Sequence, residues 1–282
     1  MSAELRLEEF FAEHPRVAVA FSGGVDSSYL LYAAKQNANL SFPASLNAAG
    51  NDPATQSAAG KPAGNSPGRE VRAYYIKSQF QPQFELDDAA RVAEALGVPL
   101  TIEAIDILAC APVAENPPDR CYYCKKAILA RVLELARADG FTVLCDGTNA
   151  DDDETDRAGT RALRELGVVS PLRECGLTKD AIRSLSEKAG LFTHDKPAYA
   201  CLATRIPTGA AITEQMLSKI ERAEDALFAM GFSDFRVRVV PPNGAKLQFP
   251  EAQWREAAAG REHIRDALQS DFDSIALDLD AR

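Results

Sequence analysis

An α/β fold, a doubly wound parallel sheet followed by a smaller C-terminal α+β domain, is what this 282-residue sequence predicts. Three observations predict it. Short apolar runs alternate with stretches of helical periodicity across residues 17–145, the pattern of strands and helices laid alternately into one sheet. A loop rich in glycine and serine, SGGVDSS at 22–28, sits at the first strand-to-helix junction. Beyond Pro171 the alternation stops, and a strictly alternating stretch with an Asn-Gly turn takes its place.

Element by element, MSAELRLEEFF at the N-terminus is acidic and helical in character. It has no basic region followed by an apolar core, so a secretory signal is not expected here. Residues 17–21 (VAVAF) suit a buried parallel strand, and residues 26–36 read as a helix. Residues 37–68 break the pattern: 25 of these 32 residues are Ala, Gly, Pro, Asn or Ser, and two are charged. Such a segment buries too little apolar surface to offset its chain entropy, so a disordered insertion is expected there. Residues 71–76 (VRAYYI) form the next strand. Leu86, Ala89, Ala93 and Leu96 recur at helical spacing until Gly97 ends the helix. Residues 98–105 give a third strand, residues 123–139 a helix, and residues 142–145 (TVLC) a fourth strand. A domain boundary is expected near residue 173, between an α/β domain at 1–173 and a smaller α+β domain at 174–282. In the second, helices are expected at 178–189, 213–230 and 251–270. FRVRV at 235–239 alternates as a half-buried strand, PPNG turns the chain, residues 246–249 pair back, and residues 274–279 close the fold.

Composition narrows the function. The chain is 46% apolar and 26% charged, as globular proteins are, with a formal net charge of −10. No apolar run reaches the roughly 18 residues of a membrane span. A cytoplasmic location is expected, in which six cysteines point to metal binding or catalysis rather than disulfides. The acidic balance counts against broad nucleic-acid binding.

Ser22, Gly23, Gly24, Val25, Asp26, Ser27 and Ser28 follow a strand and open a helix. Two glycines admit phosphate oxygens close to the backbone, the serines offer donors, and the helix N-terminus favours an anion. The plain alternative is a Gly-Ser turn capping an ordinary helix. There is no Gly-Lys-Ser/Thr, so the loop is not of the commonest nucleoside-triphosphate type. It resembles the pyrophosphate loop of the PP-loop ATPases (adenine nucleotide alpha hydrolase-like proteins), which split ATP between the α and β phosphates. That resemblance implies ATP as cosubstrate and a Mg²⁺ ion near Asp26. Asp146-Gly147-Thr148-Asn149 follows the fourth strand, at the sheet edge where open α/β folds bind ligands. Asp146 and Asn149 match the DGTN element seen near the nucleotide in that superfamily. Asp151, Asp152 and Asp153 next to it are otherwise a solvated acidic loop.

Cys121 and Cys124 form a C-x-x-C at a helix start, and Cys201 lies in ACLATR. The residues alone leave open a redox dithiol, a zinc site completed by His194, a three-cysteine iron–sulfur site, or buried small side chains. Cys145 and Cys175 read as buried structural residues, and Cys110 is isolated.

SGGVDSS, RCYYCKKAIL, DGTNADD, Ser170-Pro171-Leu172, DKPAYACLATRIP and FRVR occur in this order. Together they resemble the ATP-dependent sacrificial sulfur transferase family (LarE), over about residues 5–250 apart from the insertion. These proteins thiolate the precursor of the nickel-pincer cofactor. The resemblance implies the family's three-cysteine kind, in which Cys121, Cys124 and Cys201 hold a 4Fe-4S cluster carrying an extra sulfide. It implies a pyridinium-3,5-biscarboxylate mononucleotide as substrate, a separate sulfur donor, no nucleic acid or membrane partner, and a trimer-based homo-oligomer. Arg236 and Arg238 share one strand face, and the family's matching arginines hold the substrate phosphate. Thr204 and Arg205 join them from the ACLATR element. Glu224 matches a family glutamate there, although a paired interior carboxylate fits its place on an apolar helix line equally well. The rivals are an iron–sulfur tRNA thiolase, an amidating synthetase of the NAD synthetase type, and a non-catalytic nucleotide-sensing metal protein.

Overall fold

β1 (Arg16–Ala20) sits inside a four-stranded parallel sheet of order β3-β2-β1-β4, with β2 (Glu70–Lys77), β3 (Leu100–Ala104) and β4 (Leu144–Asp146). The computed structural model describes residues 1–39, 68–152 and 157–282. Side chains alternate across the sheet, so each central strand feeds two cores. Val17, Val19, Val71, Ala73 and Tyr75 point into one, and Ala18, Tyr74 and Ile76 into the other. The first core is covered by α1 (Ala3–Glu13), α2 (Val25–Asn39) and α3 (Gln83–Leu96). Beyond β3 come the short helix α4 (Ala111–Ala114) and α5 (Arg120–Ala138). α5 and α6 (Arg157–Leu166) cover the second core with Leu129, Val132, Ala136 and Leu163. Helices on both faces of a parallel sheet are the doubly wound arrangement that the alternating sequence predicts.

Local chemistry sets the helix ends. Ser2 accepts a hydrogen bond from the Leu5 amide at 3.2 Å and caps α1. Gly97, at φ 59°, closes α3 in the left-handed conformation that glycine adopts without a Cβ clash. α2 runs three residues past the expected end at Gln36. Asn37 is buried, and its side chain donates to the Glu8 carbonyl at 3.0 Å while Arg69 binds its oxygens, so polar partners carry the helix into a low-hydrophobicity stretch. The rest of the expected insertion, residues 40–67, lies outside the described residues.

α7 (Pro171–Glu174) and α8 (Lys179–Lys188) follow. Leu177 and Ile182 still pack into the core of the first sheet. The chain then crosses an irregular segment to the short 3-10 turn Leu202–Arg205 and to α9 (Glu214–Ala229). A smaller mixed sheet of order β5-β6-β7 ends the fold: β5 (Arg236–Val240) pairs antiparallel with β6 (Gly244–Gln248), and β6 parallel with β7 (Ser274–Leu277). The helix expected over 251–270 is broken at Gly260 into α10 (Glu251–Ala259) and α11 (Arg261–Leu268), in keeping with glycine's low helix propensity. A further core, with Phe80, Ile107 and Val113 from the first half and Leu202, Ile206, Leu217, Ile220 and Val239 from the second, joins the two sheets. Among the described residues no helix is long and apolar enough to cross a membrane.

Candidate active site

The sheet order places the site. From β1 the chain steps outward through β2 and β3, then returns to the other side of β1 at β4. A crevice opens between the C-terminal ends of β1 and β4, where such folds bind ligands. Residues 22–28 leave β1 there, and Asp146 to Asn149 leave β4. Gly23, at φ 74°, sits against α3: a Cβ on it would lie 2.9 Å from the Ala89 Cβ. Gly147 lies as close to the phosphate loop, where a Cβ would meet the Ser27 amide nitrogen at 2.9 Å. The two strand ends therefore interlock backbone to backbone.

Within the loop Ser27 Oγ donates to the Gly24 carbonyl at 3.2 Å and lies 3.0 Å from Ser22 Oγ. Among the described residues the buried Ser28 hydroxyl has no partner. Asp26 accepts a 2.6 Å ion-paired hydrogen bond from Lys179 on one oxygen, while its other oxygen is buried and has no hydrogen-bond partner among the described residues. Burial raises the Asp26 pKa, against the lowering effect of Lys179. An orphaned carboxylate oxygen beside a phosphate-type loop is the chemistry a Mg²⁺ ion satisfies.

Asp146 is held by the Ser170 hydroxyl at 2.6 Å and by Thr148. Asn149 is buried, and its side-chain oxygen accepts from the amides of Asp151 and Asp152. Asp151 accepts from the Lys179 amide at 2.6 Å, at the start of α8, and Asp152 from the Asn149 amide at 2.8 Å. The acidic run is thus partly structural. Asp153 lies outside the described residues.

Two cavities meet at the loop. One, of about 290 Å³, has Ser22, Gly24, Asp26, Asp146 and Thr148 on its polar side and Ile128, Leu129 and Leu163 as apolar walls. The other, of about 310 Å³, is also lined by Ser22, Gly24 and Asp26 and runs past Lys179 and Lys196 to Tyr199 and Cys201. The phosphate loop is their shared wall.

Cys121 and Cys124 stand in the first turns of α5, and Cys201 immediately before the 3-10 turn. Cys121 is exposed; Cys124 and Cys201 are half-buried and pack on the core between the sheets. Burial pushes the Cys124 thiol up to about 12, with Cys201 and Cys121 adding to the rise. Burial also raises Cys201, and Cys121 contributes, while the Arg120 and Arg205 charges oppose it. The three thiols therefore lie within electrostatic reach of one another. Among the described residues no three His, Cys, Asp or Glu side chains converge as a single-ion site. Among the described residues His194 belongs to no converging group of three possible ligands, and its Nδ1 lies 2.9 Å from the Leu191 carbonyl oxygen. Three thiolates are a donor type that iron–sulfur clusters take. Cys145 and Cys175 are buried away from this group, as expected.

The second anion site looks different from its sequence pattern. Arg205 and Glu224 are each 1% exposed and form a two-pronged ion pair, Nε–Oε1 2.9 Å and Nη2–Oε2 3.0 Å. The Val237 amide and the Tyr199 hydroxyl also donate to Glu224. Arg205 further caps the Ala200 carbonyl at 2.6 Å. Arg236 is buried on the Ala198 and Phe235 carbonyls, both at 2.6 Å, and Arg238 reaches the Thr204 carbonyl at 2.9 Å. Thr204 Oγ1 donates to the Cys201 carbonyl at 2.8 Å. These residues are brought together around the Cys201 segment, with their guanidiniums engaged by main-chain oxygens. Arg120 adds a 3.0 Å bond to the Ala203 carbonyl. Sequence patterns did not single out Lys179, Lys196, Arg120 or Tyr199. Only Lys179 carries a local signal, lying just after the helix-capping Thr178.

A parallel sheet carrying this loop at its switch point defines an ATPase of the PP-loop class. Residues 11–152 match the family model for asparagine synthase. An uncharacterized protein of Synechocystis is 32% identical over 247 residues, covering 88% of this chain and 81% of that one. The pyridinium-3,5-bisthiocarboxylic acid mononucleotide synthase of Lactiplantibacillus plantarum is 29% identical over 265 residues, covering 94% and 86%. A further uncharacterized protein, from Methanocaldococcus jannaschii, is 29% identical over 158 residues, covering 56% and 60%. The chain belongs to the asparagine-synthase-like family of PP-loop ATPases and is homologous at family level to LarE-type sulfur transferases.

Proposed function

We propose that this protein is an ATP-dependent sulfur transferase that converts a carboxylate of pyridinium-3,5-biscarboxylate mononucleotide to a thiocarboxylate. The observation that carries the proposal is the phosphate loop as common wall of two cavities, one opening on Cys201. A nucleotide in the first cavity has its α phosphate at the boundary with the second. The relative from Lactiplantibacillus plantarum bears a name that specifies the bisthiocarboxylic product, which supports the same chemistry here.

Asp26 would hold Mg²⁺ through its free oxygen, which would offset the phosphate charge, and Ser22, Gly23, Gly24, Ser27 and Ser28 cradle the leaving pyrophosphate. Asp146 and Asn149 shape the nucleotide side. A substrate carboxylate oxygen attacks the α phosphorus, the bond to the β-phosphate oxygen breaks, and pyrophosphate leaves. The resulting acyl adenylate turns a poor leaving group into AMP. A sulfur nucleophile presented beside Cys201 then adds to the acyl carbon, and AMP departs with the former carboxylate oxygen. Cys121, Cys124 and Cys201 would hold a 4Fe-4S cluster, which would supply sulfide-level sulfur as the nucleophile. Thr204, Arg205, Glu224, Arg236 and Arg238 order the rim where the substrate phosphate binds, Arg236 and Arg238 turning from main-chain carbonyls to phosphate oxygens. The division into 1–173 and 174–282, the cytoplasmic location and the homo-oligomer belong to the same proposal.

AMP formation measured with the dicarboxylate mononucleotide, with tRNA, and with neither tests it. AMP that depends on the mononucleotide is expected. Dependence on tRNA would replace this function with that of a tRNA thiolase, and ATP loss without pyrophosphate would remove both.

A further inference from the structure

The segment from His194 to Thr204 has no strand or long helix to satisfy its main-chain carbonyls, yet it carries Cys201. Buried carbonyls need partners, and arginines supply them. Arg183 donates to the His194 carbonyl at 2.6 Å and to the Lys196 carbonyl at 2.9 Å. Arg236 takes Ala198, Arg205 takes Ala200, Arg120 takes Ala203 and Arg238 takes Thr204. Lys196 itself is pinned to α3 by Asp88 at 2.8 Å and Glu85 at 3.2 Å. Of these arginines, Arg183 alone comes from α8. That helix also presents Lys179, one turn earlier, to Asp26 at 2.6 Å. Positions four apart share a helix face, so one rigid helix touches the phosphate loop with one side chain and the cysteine segment with the other. α8 is seated on the first core by Ile182.

We infer that Arg183 is a positioning residue that ties the Cys201 segment to α8, so that nucleotide at Asp26 is sensed at the cysteine through Lys179 and Arg183. Mg·ATP bound through the free Asp26 oxygen draws negative charge from the Lys179 ion pair on the other oxygen and loosens it. That loosening alters the seat of the α8 N-terminus, and Arg183 carries the change to the carbonyls of 194 and 196. The inference rests on nucleotide binding at residues 22–28, as proposed above, and not on which substrate accepts sulfur.

Hydrogen exchange of the full-length chain, read by mass spectrometry on peptides covering 194–204, tests it with Mg·ATP as the probe. In the wild type, Mg·ATP changes exchange in this segment. Arg183→Ala removes two charge-assisted bonds, so exchange there rises roughly ten-fold or more and no longer responds to Mg·ATP, while Mg·ATP still protects residues 22–28. Arg183→Lys, which keeps a charge and one donor arm, gives an intermediate rate; it also serves if the alanine variant unfolds. Unchanged exchange in both variants, or a nucleotide response that survives Arg183→Ala, overturns the inference. If Mg·ATP protects neither 22–28 nor 194–204 in the wild type, the nucleotide site itself is wrong. AMP formation is scored separately, so a failed coupling and a failed chemistry are told apart.

Discussion

Replacing Glu224 with leucine strips Arg205 of its counter-charge in a site where both side chains are essentially inaccessible to solvent. Glu224 accepts from Arg205 twice, from the Val237 amide at 3.0 Å and from the Tyr199 hydroxyl. Removing one partner of a buried ion pair costs about 3–5 kcal/mol, because the remaining charge stays desolvated. The orphaned Val237 amide pushes the loss toward the top of that range. For a chain of this length each kcal/mol moves the unfolding midpoint by about 2–4 °C, so a fall of about 6–20 °C is expected. The single tryptophan makes the assay local: Trp254, on α10, donates its indole N–H to the Asp278 carbonyl at 2.8 Å and reports on the C-terminal sheet. Urea unfolding followed by its fluorescence gives the loss. The double variant Arg205→Met, Glu224→Leu should lose less than the two single losses added, by about 0.5–3 kcal/mol. A loss under about 1 kcal/mol for Glu224→Leu, or additive single effects, would refute the pair as the anchor of the Cys201 segment.

Gly147→Ala sets a Cβ against the Ser27 amide, and overpacking of this kind costs about 1–3 kcal/mol, so ATP affinity measured by titration should fall roughly ten-fold. Asp26 must be ionised to hold Mg²⁺, and burial raises its pKa; Mg·ATP binding should therefore fade, as pH drops, sooner than an ordinary value of 3.8 predicts. The stability term has the opposite sign. A raised folded-state pKa contributes stability below the unfolded value and loses it as pH rises through the folded one. Asp26→Asn should accordingly gain thermal stability at neutral pH and not in acid below 3.8, while losing Mg·ATP binding. Cys145→Ala and Cys175→Ala should leave the iron content of the reconstituted protein unchanged, because both side chains are buried in the core beneath the first sheet.

Much of the fold was legible because buried parallel strands and their helices write their periodicity into the chain. VAVAF and VRAYYI predict β1 and β2, and Gly97 marks the end of α3. The end of α2 at Asn39 was not legible, because tertiary partners of Asn37 decide it rather than local propensity. α6 was hidden by its polar composition, and Gly260 was passed over inside an otherwise helical stretch. The phosphate loop and DGTN element were legible as motifs, since glycine spacing reflects backbone approach. The arginines were not. Alternation placed Arg236 and Arg238 on one face, but only tertiary structure reveals that their guanidiniums cap carbonyls 34 to 38 residues away. The Glu224 alternatives could not be separated by spacing, and the structure realises the paired interior carboxylate.

The most direct measurement of the central claim is a single-turnover reaction with the protein purified and reconstituted with iron and sulfide without oxygen. Mg·ATP and pyridinium-3,5-biscarboxylate mononucleotide are added, and AMP, pyrophosphate and the acid product are quantified by mass spectrometry. The expected result is AMP and pyrophosphate in equal amounts, with a product in which sulfur replaces one carboxylate oxygen. Cys201→Ala should still release pyrophosphate but form no thiocarboxylate. Thiocarboxylate formed at the wild-type rate by Cys201→Ala, or a wild-type protein that makes AMP with no sulfur in the product, would contradict sulfur transfer at this site.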